Sequence, residues 1–565
     1  MKVKIPKDLV GVSFSKVMTI ELNDFNTDIF LPSLFFKIMS GGKSRSKVKN
    51  KEEIIFYINE FSNKIETKTY EKREKNIILE KLVRTSLIAT SKVGRNKRGE
   101  QIMAILPYSL LCYKPGFPIE SRRQRGVDSF IYQILCKEIQ LGHDYIKKQI
   151  IEIFGKGIIF GNVPGTTNAA YDGKTDLDTL TTLSMVFADG FEATGFGREN
   201  DKNEYSPCVG LTNIVAKDIW MFLHTYAERM PNQALTYYFQ ALVSFEMYLY
   251  SLRLAYAINQ LVYDPSILPS AMNDPIIEQK PLIYVDFIGK QNHLSHRMSS
   301  ECVRRDVEIF QHFFRSMVEL RWLDKQIGIL KKSASGKIRI NQILHDNPQG
   351  AIYLQRILLM RDDPELKFHL DAAARHAIGT IREATIPLAE EDDTEDSDLF
   401  EEIIESGKTD IQQLVLLLEE GQRQNVLSNY MGWIVGAGGM NKTYGLLSGI
   451  QRQRRTWHYA PSNDLLSLLV QLATMHAMPI EDRGQNKLPP SIRLQEFLKF
   501  LEQRYGIIID RPPLEMHGVE YHAAARENLQ AMLKRLRQMG IFTDLSDDFT
   551  VQRLYSPYSN NVDKE

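Results

Sequence analysis

Asp286, His293 and His296 fall within eleven positions and bring one carboxylate and two imidazoles, with Glu301 and Asp306 close behind. Imidazole and carboxylate suit zinc, manganese or iron. An acid at a strand end followed by His-x-x-His is one way to gather such donors, and the result would be a metal-dependent nuclease or hydrolase. Two features oppose it. His-x-x-His puts its second ligand on a different turn unless the segment is helical, and QNHLSHRMSS reads as loop. No His-Glu-x-x-His or second carboxylate at fixed spacing supports the three. The plainer expectation is a surface loop of polar caps that binds no metal. His369 and His376, seven apart, read as a packed helical stripe.

The run Gly436–Thr443, GAGGMNKT, nearly spells a phosphate-binding loop. That motif wants Gly where Asn441 stands, so that backbone amides can cradle phosphate, and it wants a buried strand before it. Here the preceding SNYMGWIV continues from a helix. A flexible turn joining two helices is the simpler reading. With Lys442, Arg452, Arg454, Arg455, Trp457 and His458 it equally reads as a cationic loop that tracks a nucleic-acid backbone, with an aromatic to stack. Asp172, Asp176 and Asp178 in DGKTDLD lack the sixth-position Gly and late Glu of a calcium loop, and Asp176 reads instead as a helix N-cap. No Gly-x-Ser-x-Gly, no G-x-G-x-x-G after a strand and no metal-nuclease spacing occurs. No catalytic residue and no cofactor is therefore expected, although a site assembled in space escapes such a search.

Cations cluster more clearly than catalytic types do. Lys43, Arg45, Lys47 and Lys49 crowd one Gly-led loop, while Lys92, Arg95, Lys97 and Arg98 surround a turn. Arg122, Arg123 and Arg125 form a third knot. Residues 1–126 hold 25 Lys and Arg against 13 Asp and Glu, a net of +12. Residues 127–420 carry −15 and residues 421–565 carry +3, so the formal zero of the whole chain hides a basic end. Cations on loops neutralise phosphates without reading bases, which points to non-specific DNA contact at the N-terminal part. The competing reading is that basic ends dock on the acidic middle.

The elements that must carry these residues read as mainly α over 565 residues, a length for several domains. Residues 1–126 read as a basic α+β region whose helix, helix and hairpin follow a winged-helix layout, with Arg95, Lys97 and Arg98 at the hairpin tip. Residues 127–388 read as a helical middle with one isolated strand signal, PLIYVDFIG. After that strand a long helix begins, capped by Ser299 or Ser300. Residues 389–402 form an acidic linker, 403–461 a helical segment with the Gly-rich basic loop, and 462–560 a second winged-helix-like domain. In the latter, Asp544, Asp547 and Asp548 would repel phosphate, so it is expected to contact protein. Arg526, Lys534, Arg535 and Arg537 would form a basic face on its last helix. The apolar run near Gln233–Tyr263 is broken by Glu246 and Arg253, so no membrane span is expected. MKVKIPKDLV has no signal-like apolar core, and four scattered cysteines suit a reducing cytoplasm.

The run RRTWHYAPSNDLLSLLVQLA, with SIRLQEFLKFLEQRYGIIIDRPP beyond it, resembles accessory, non-ATPase subunits of multigene bacterial anti-phage systems. The methylation-associated defence systems are nearest. The resemblance implies work beside an ATPase, a kinase or a methyltransferase. The expected role is a non-catalytic, DNA-associated scaffold or adaptor.

Overall fold

The computed structural model describes residues 3–559 apart from 12, 46–53, 65–71, 86, 90–101, 108, 114–122, 141, 161–168, 180, 183–184, 186–195, 200–205, 270–271, 273–279, 390–396, 479–490, 515 and 544–551. The fold is mainly α, as the periodicity required. Its N-terminal region contains α1 (Thr27–Ser40), β1 (Lys43–Arg45), α2 (Ile54–Lys64), α3 (Lys72–Thr85) and the antiparallel pair β2 (Leu87–Ala89) and β3 (Ile102–Ile105). α4 (Val127–Glu138) and α5 (Gly142–Phe154) follow. Next come the hairpin strands β4 (Ile158–Phe160) and β5 (Ala169–Tyr171), then β6 (Phe196–Glu199), which returns to pair with β1.

The middle is built on long helices. α6 (Val209–Tyr226) leads into α7 (Asn232–Tyr263), then β7 (Ile283–Tyr284) and α8 (Leu294–Leu330). α7 is apolar on every side, the pattern of a helix enclosed by its own protein, and even Glu246 and Arg253 are only 2% and 5% exposed. Among the described residues no helix is long and apolar enough to cross a membrane. α8 starts earlier than a cap at Ser299 or Ser300 would allow. The His293 side chain accepts the Ser295 N–H and caps the helix, so the segment around His296 is helix rather than loop, and Ser299 lies buried inside it.

α9 (Ala334–Ile343), α10 (Gly350–Arg361) and α11 (Lys367–Ala389) complete the middle. The second half of the acidic run, expected as a solvated linker, forms α12 (Ser397–Glu405). Phe400 is 6% exposed and Arg382 lies 5.5 Å over its ring, with Arg382 also bonded to Glu401. One apolar anchor and one ion pair suffice to fold that half down. α13 (Asp410–Ala437) then opens on a reciprocal Thr409/Gln412 capping box.

Beyond it lie β8 (Leu447–Ile450), β9 (Gln453–Tyr459) and α14 (Asn463–His476), capped by the Ser462 side chain. β10 (Ser491–Arg493) and α15 (Leu494–Phe500) follow, with a π-helical turn over Leu501–Tyr505. β11 (Ile507–Ile508), α16 (Val519–Gln538), β12 (Phe542–Thr543) and β13 (Arg553–Tyr555) end the described chain. β13 lies between β10 and β12, antiparallel to both, whereas β11 pairs in parallel with β7 of the middle. Apart from a small separate cluster at Leu111 and Ile158, the buried apolar side chains form one cluster from Val3 to Leu554, with members on both sides of residues 126, 388, 402 and 461.

A buried polar knot joins the C-terminal elements to the middle. Asp218 of α6 is fully enclosed and accepts from Arg504 Nε at 2.9 Å and Nη2 at 2.5 Å, from Tyr505 Oη at 2.7 Å and from His476 Nε2 at 2.6 Å. Burial alone would raise its carboxyl, but Arg504 and His476 outweigh that and hold it well below the usual carboxylate range.

Candidate functional site

The β8–β9 hairpin collects Arg452, Arg454, Arg455, Trp457 and His458. Its tip carries Arg452, Arg454 and Arg455, all exposed, and none has an ion-pair partner among the described residues. Leu447 faces Tyr459 and Ser448 faces His458, after which the register slips so that Ile450 meets Gln453. Gly449 makes that slip with φ +133°, and a Cβ there would stand 2.7 Å from the Thr456 carbonyl oxygen. The bulge therefore requires glycine.

Behind the tip the strand alternates. Trp457 and Tyr459 are buried, and Trp457 Nε1–H donates to the Ile450 carbonyl at 3.0 Å, so this indole is not free to stack on a base. β9 is then fastened to α8. Ser299 Oγ accepts the Tyr459 N–H at 2.6 Å and donates to the Tyr459 carbonyl at 2.8 Å, and Tyr459 Oη donates to Asp306 at 2.6 Å. The arginines thus project from a hairpin whose base is held inside the core.

At that base the fold assembles a different trio from the one that spacing suggests. Asp286, just past β7, His296 in the first turns of α8 and His458 in β9 place a potential ligand atom each within 4.8 Å of one another. Asp286 is 1% exposed. Its Oδ1 accepts from Ile288 N–H at 3.1 Å and Ser295 Oγ at 2.6 Å, and its Oδ2 from Gly289 N–H at 3.1 Å. Its own N–H donates to the Tyr459 carbonyl at 2.8 Å, which locks β7 to β9. His458 donates from Nδ1 to the Thr456 carbonyl at 3.0 Å. Burial lowers its pKa, with His296 adding to the shift, so the ring is neutral at pH 7 with its lone pair on Nε2. The His296 and His458 rings lie 4.2 Å apart between centroids.

His293 stands outside this group. Its Nδ1 accepts from Ser295 N–H and its Nε2–H donates to Glu527 at 2.9 Å, so both nitrogens are used. His458, 162 positions from His296, is visible in the sequence only as part of a basic loop. Its one local signal is the alternation of Trp457, His458 and Tyr459, which turns it to the face opposite the two buried aromatics.

The other sequence-selected residues are dispersed. Lys442 is bonded to Asp28 at 2.8 Å, and the glycine run joins α13 to a strand rather than to a helix. Its glycines serve backbone contact. A Cβ at Gly436 would lie 2.6 Å from the Phe25 carbonyl oxygen, and one at Gly445 would lie 2.2 Å from that of Gly439. The loop packs closed, which leaves no cradle for phosphate. Arg123 pairs with Asp24 at 3.2 Å, and Arg125 pairs with both Glu21 and Asp24, so this knot fastens the chain near residue 24. Lys43 is exposed on β1 and Arg45 closes that strand. Lys47, Lys49, Lys92, Arg95, Lys97, Arg98 and Arg122 lie outside the described residues, as do Asp544, Asp547 and Asp548. Asp172 and Asp178 each accept from a Thr three residues on, in local turn and cap bonds, so Asp178 and not Asp176 caps that turn. Arg535, expected on an exposed basic face, donates to the Pro461 carbonyl at 3.0 Å and covers the Phe287 ring.

A family model, that of the methylation-associated defense system protein MAD7, matches residues 7–558. The chain belongs to that family. Comparison with curated proteins found no match, and comparison with solved structures found none either.

Proposed function

We propose that this member of a methylation-associated defence system is its DNA-contacting, non-catalytic subunit, and that the β8–β9 tip meets the phosphate backbone. One observation carries the reading: Arg452, Arg454 and Arg455 are exposed, without an ion-pair partner among the described residues, on a hairpin fixed at its base by Ser299, Asp286 and Asp306. Unneutralised guanidiniums on an already ordered hairpin bind phosphate without the backbone-ordering cost that a floppy loop would incur, and phosphate contacts read no bases. The contrast with Arg123, Arg125 and Lys442, which are spent on internal carboxylates, narrows the described interface to this tip. The basic clusters of residues 1–126 would extend it.

We read the C-terminal order α14, β10, α15, β11, α16, β12 and β13 as a winged-helix arrangement in which β11 pairs outside the three-stranded sheet. The placement of β13 between β10 and β12 supports this, because a winged helix inserts its last strand between the other two. We assign that unit to protein contact with other subunits of the system. Its last helix spends Leu529, Met532, Leu533 and Leu536 on the core and Arg535 on Pro461 and Phe287, and the exposed Arg526, Lys534 and Arg537 would meet an acidic protein partner.

The test uses the full chain. Replacing Arg452, Arg454 and Arg455 by Ala should weaken duplex binding equally on unrelated sequences. It should also flatten the dependence of log K on log salt by about 0.9 for each phosphate no longer neutralised, about 2.7 if all three arginines engage. Unchanged affinity and slope would remove the hairpin from the interface.

A further inference from the structure

We infer that Asp286, His296 and His458 form a binding site for one divalent transition-metal ion of the zinc class. The inference does not depend on the DNA reading. Three separate elements deliver the donors: the end of β7, the first turns of α8, and β9. Two imidazole nitrogens and a carboxylate oxygen are the donor set that zinc and its borderline neighbours prefer, and calcium or magnesium would want oxygens instead.

The hydrogen bonding around the trio is incomplete at one atom. His296 is 9% exposed, yet its Nδ1 is buried without a hydrogen-bond partner. The nearest carboxylate atom, Asp286 Oδ2, stands 3.7 Å away, which is too far for a hydrogen bond. Around a tetrahedral ion with bonds of about 2.0–2.2 Å, donor atoms sit about 3.4 Å apart, so this pair already stands close to the spacing that a shared ion imposes. A buried polar atom left without a partner is destabilising, and a coordinate bond would remove that cost.

The supporting contacts are those a metal site needs. The Thr456 carbonyl holds the His458 Nδ1–H, which fixes the tautomer that offers Nε2. Ser295 Oγ and the amides of Ile288 and Gly289 orient the Asp286 carboxylate. Three protein donors leave a fourth position of a tetrahedral ion for water or an anion. Arg455 lies three residues along the strand from His458, about 10 Å, so an ion here would also clamp the base of the arginine hairpin to α8.

The experiment is a titration of the full-length, untagged protein after its metal has been stripped with chelator. Zn2+ is added in competition with a chromophoric chelator, and Co2+ is added in parallel to read visible d–d absorption. One equivalent of Zn2+ should bind at micromolar or tighter affinity and raise the thermal midpoint. His296→Ala and His458→Ala should weaken binding at least about 100-fold, beyond the 10–100-fold typical of losing only an outer partner. His293→Ala should bind as the wild type does, since that ring faces Glu527. If the wild type shows no saturable Zn2+ or Co2+ binding, the inference fails whatever the variants do. It fails equally if His458→Ala, folded by circular dichroism, keeps wild-type affinity.

Discussion

Replacing Asp218 by Asn isolates the contact that binds the C-terminal elements to α6. The carboxylate is 0% exposed and takes two bonds from Arg504, one from Tyr505 and one from His476. Asparagine keeps the shape but removes the charge, and its amide nitrogen would point a donor at one of these donors. Arg504 would then be a cation with little water around it, deprived of its hydrogen-bonded counter-ion and left beside the buried Glu246. Breaking a buried ion pair from one side costs about 3–5 kcal/mol, whereas deleting both partners is often close to neutral. Urea unfolding of the full chain, followed by tryptophan emission from the buried Trp433 and Trp457, should therefore show the Asn variant losing stability of that order. The double variant Asp218→Asn with Arg504→Met should recover part of the loss. The pH dependence supplies an independent sign. Because the folded-state pKa is depressed, the contribution of Asp218 is complete above the unfolded value of about 3.9 and fades as pH falls below it. The variant should thus show a shallower acid limb. An Asn variant within about 1 kcal/mol of wild type, the worth of one neutral hydrogen bond, would refute the argument.

Glu246 makes the opposite prediction. Burial raises its pKa well above the ordinary value, with Asp218 adding to the effect, so its folded form holds a proton that the unfolded chain gives up above pH of about 4.3. Its contribution is present below that pH and is lost as pH rises, by about 1.4 kcal/mol per unit up to the folded pKa. Glu246→Gln should gain on wild type between pH 5 and pH 8 in the same urea assay, and a constant difference would contradict the shifted proton. Gly449→Ala places a Cβ against the Thr456 carbonyl at a backbone angle that L residues rarely adopt, at a strain of about 1–3 kcal/mol. Amide exchange across residues 447–459 should accelerate in that variant while α7 stays protected, and uniform exchange would show that the bulge is not strained.

The helical class and most helix positions were legible because they rest on local signals, above all the i, i+3, i+4 apolar spacing that α4 and α5 display. The helix, helix, hairpin order near residue 100 and the C-terminal helices were legible in the same way, but the strand β10 was not. The start of α8 was not. QNHLSHRMSS looks polar and turn-like, but Ser295 and Ser299 are buried there because Asp286 and the Tyr459 backbone bond to them, and those partners come from elsewhere in the chain. Nor were the paired fates of the cations legible. Lys442, Arg123 and Arg125 resemble Arg452 and Arg454 in sequence, and only the positions of Asp28, Glu21 and Asp24 separate spent charges from free ones.

The same distinction explains why the chemistry-bearing residues were only half seen. Asp286 and His296 are neighbours along the chain and could be paired by spacing, whereas His458 joins them only because β9 is pinned to α8 by Ser299 and to β7 by the Asp286 amide. Those bonds use backbone groups, which leave no trace in residue type. His293 was the natural third ligand by spacing, and it is removed by a demand that outranks ligation locally: the first turn of a 37-residue helix needs a cap, and an imidazole at that position provides it. The hairpin is therefore the element on which both ends of the functional argument depend. One set of bonds at its base decides how firmly the arginines are presented and whether the imidazole of His458 reaches the carboxylate of Asp286. Loosening the Ser299 contact would disturb both together, while changing the tip arginines would leave the base intact.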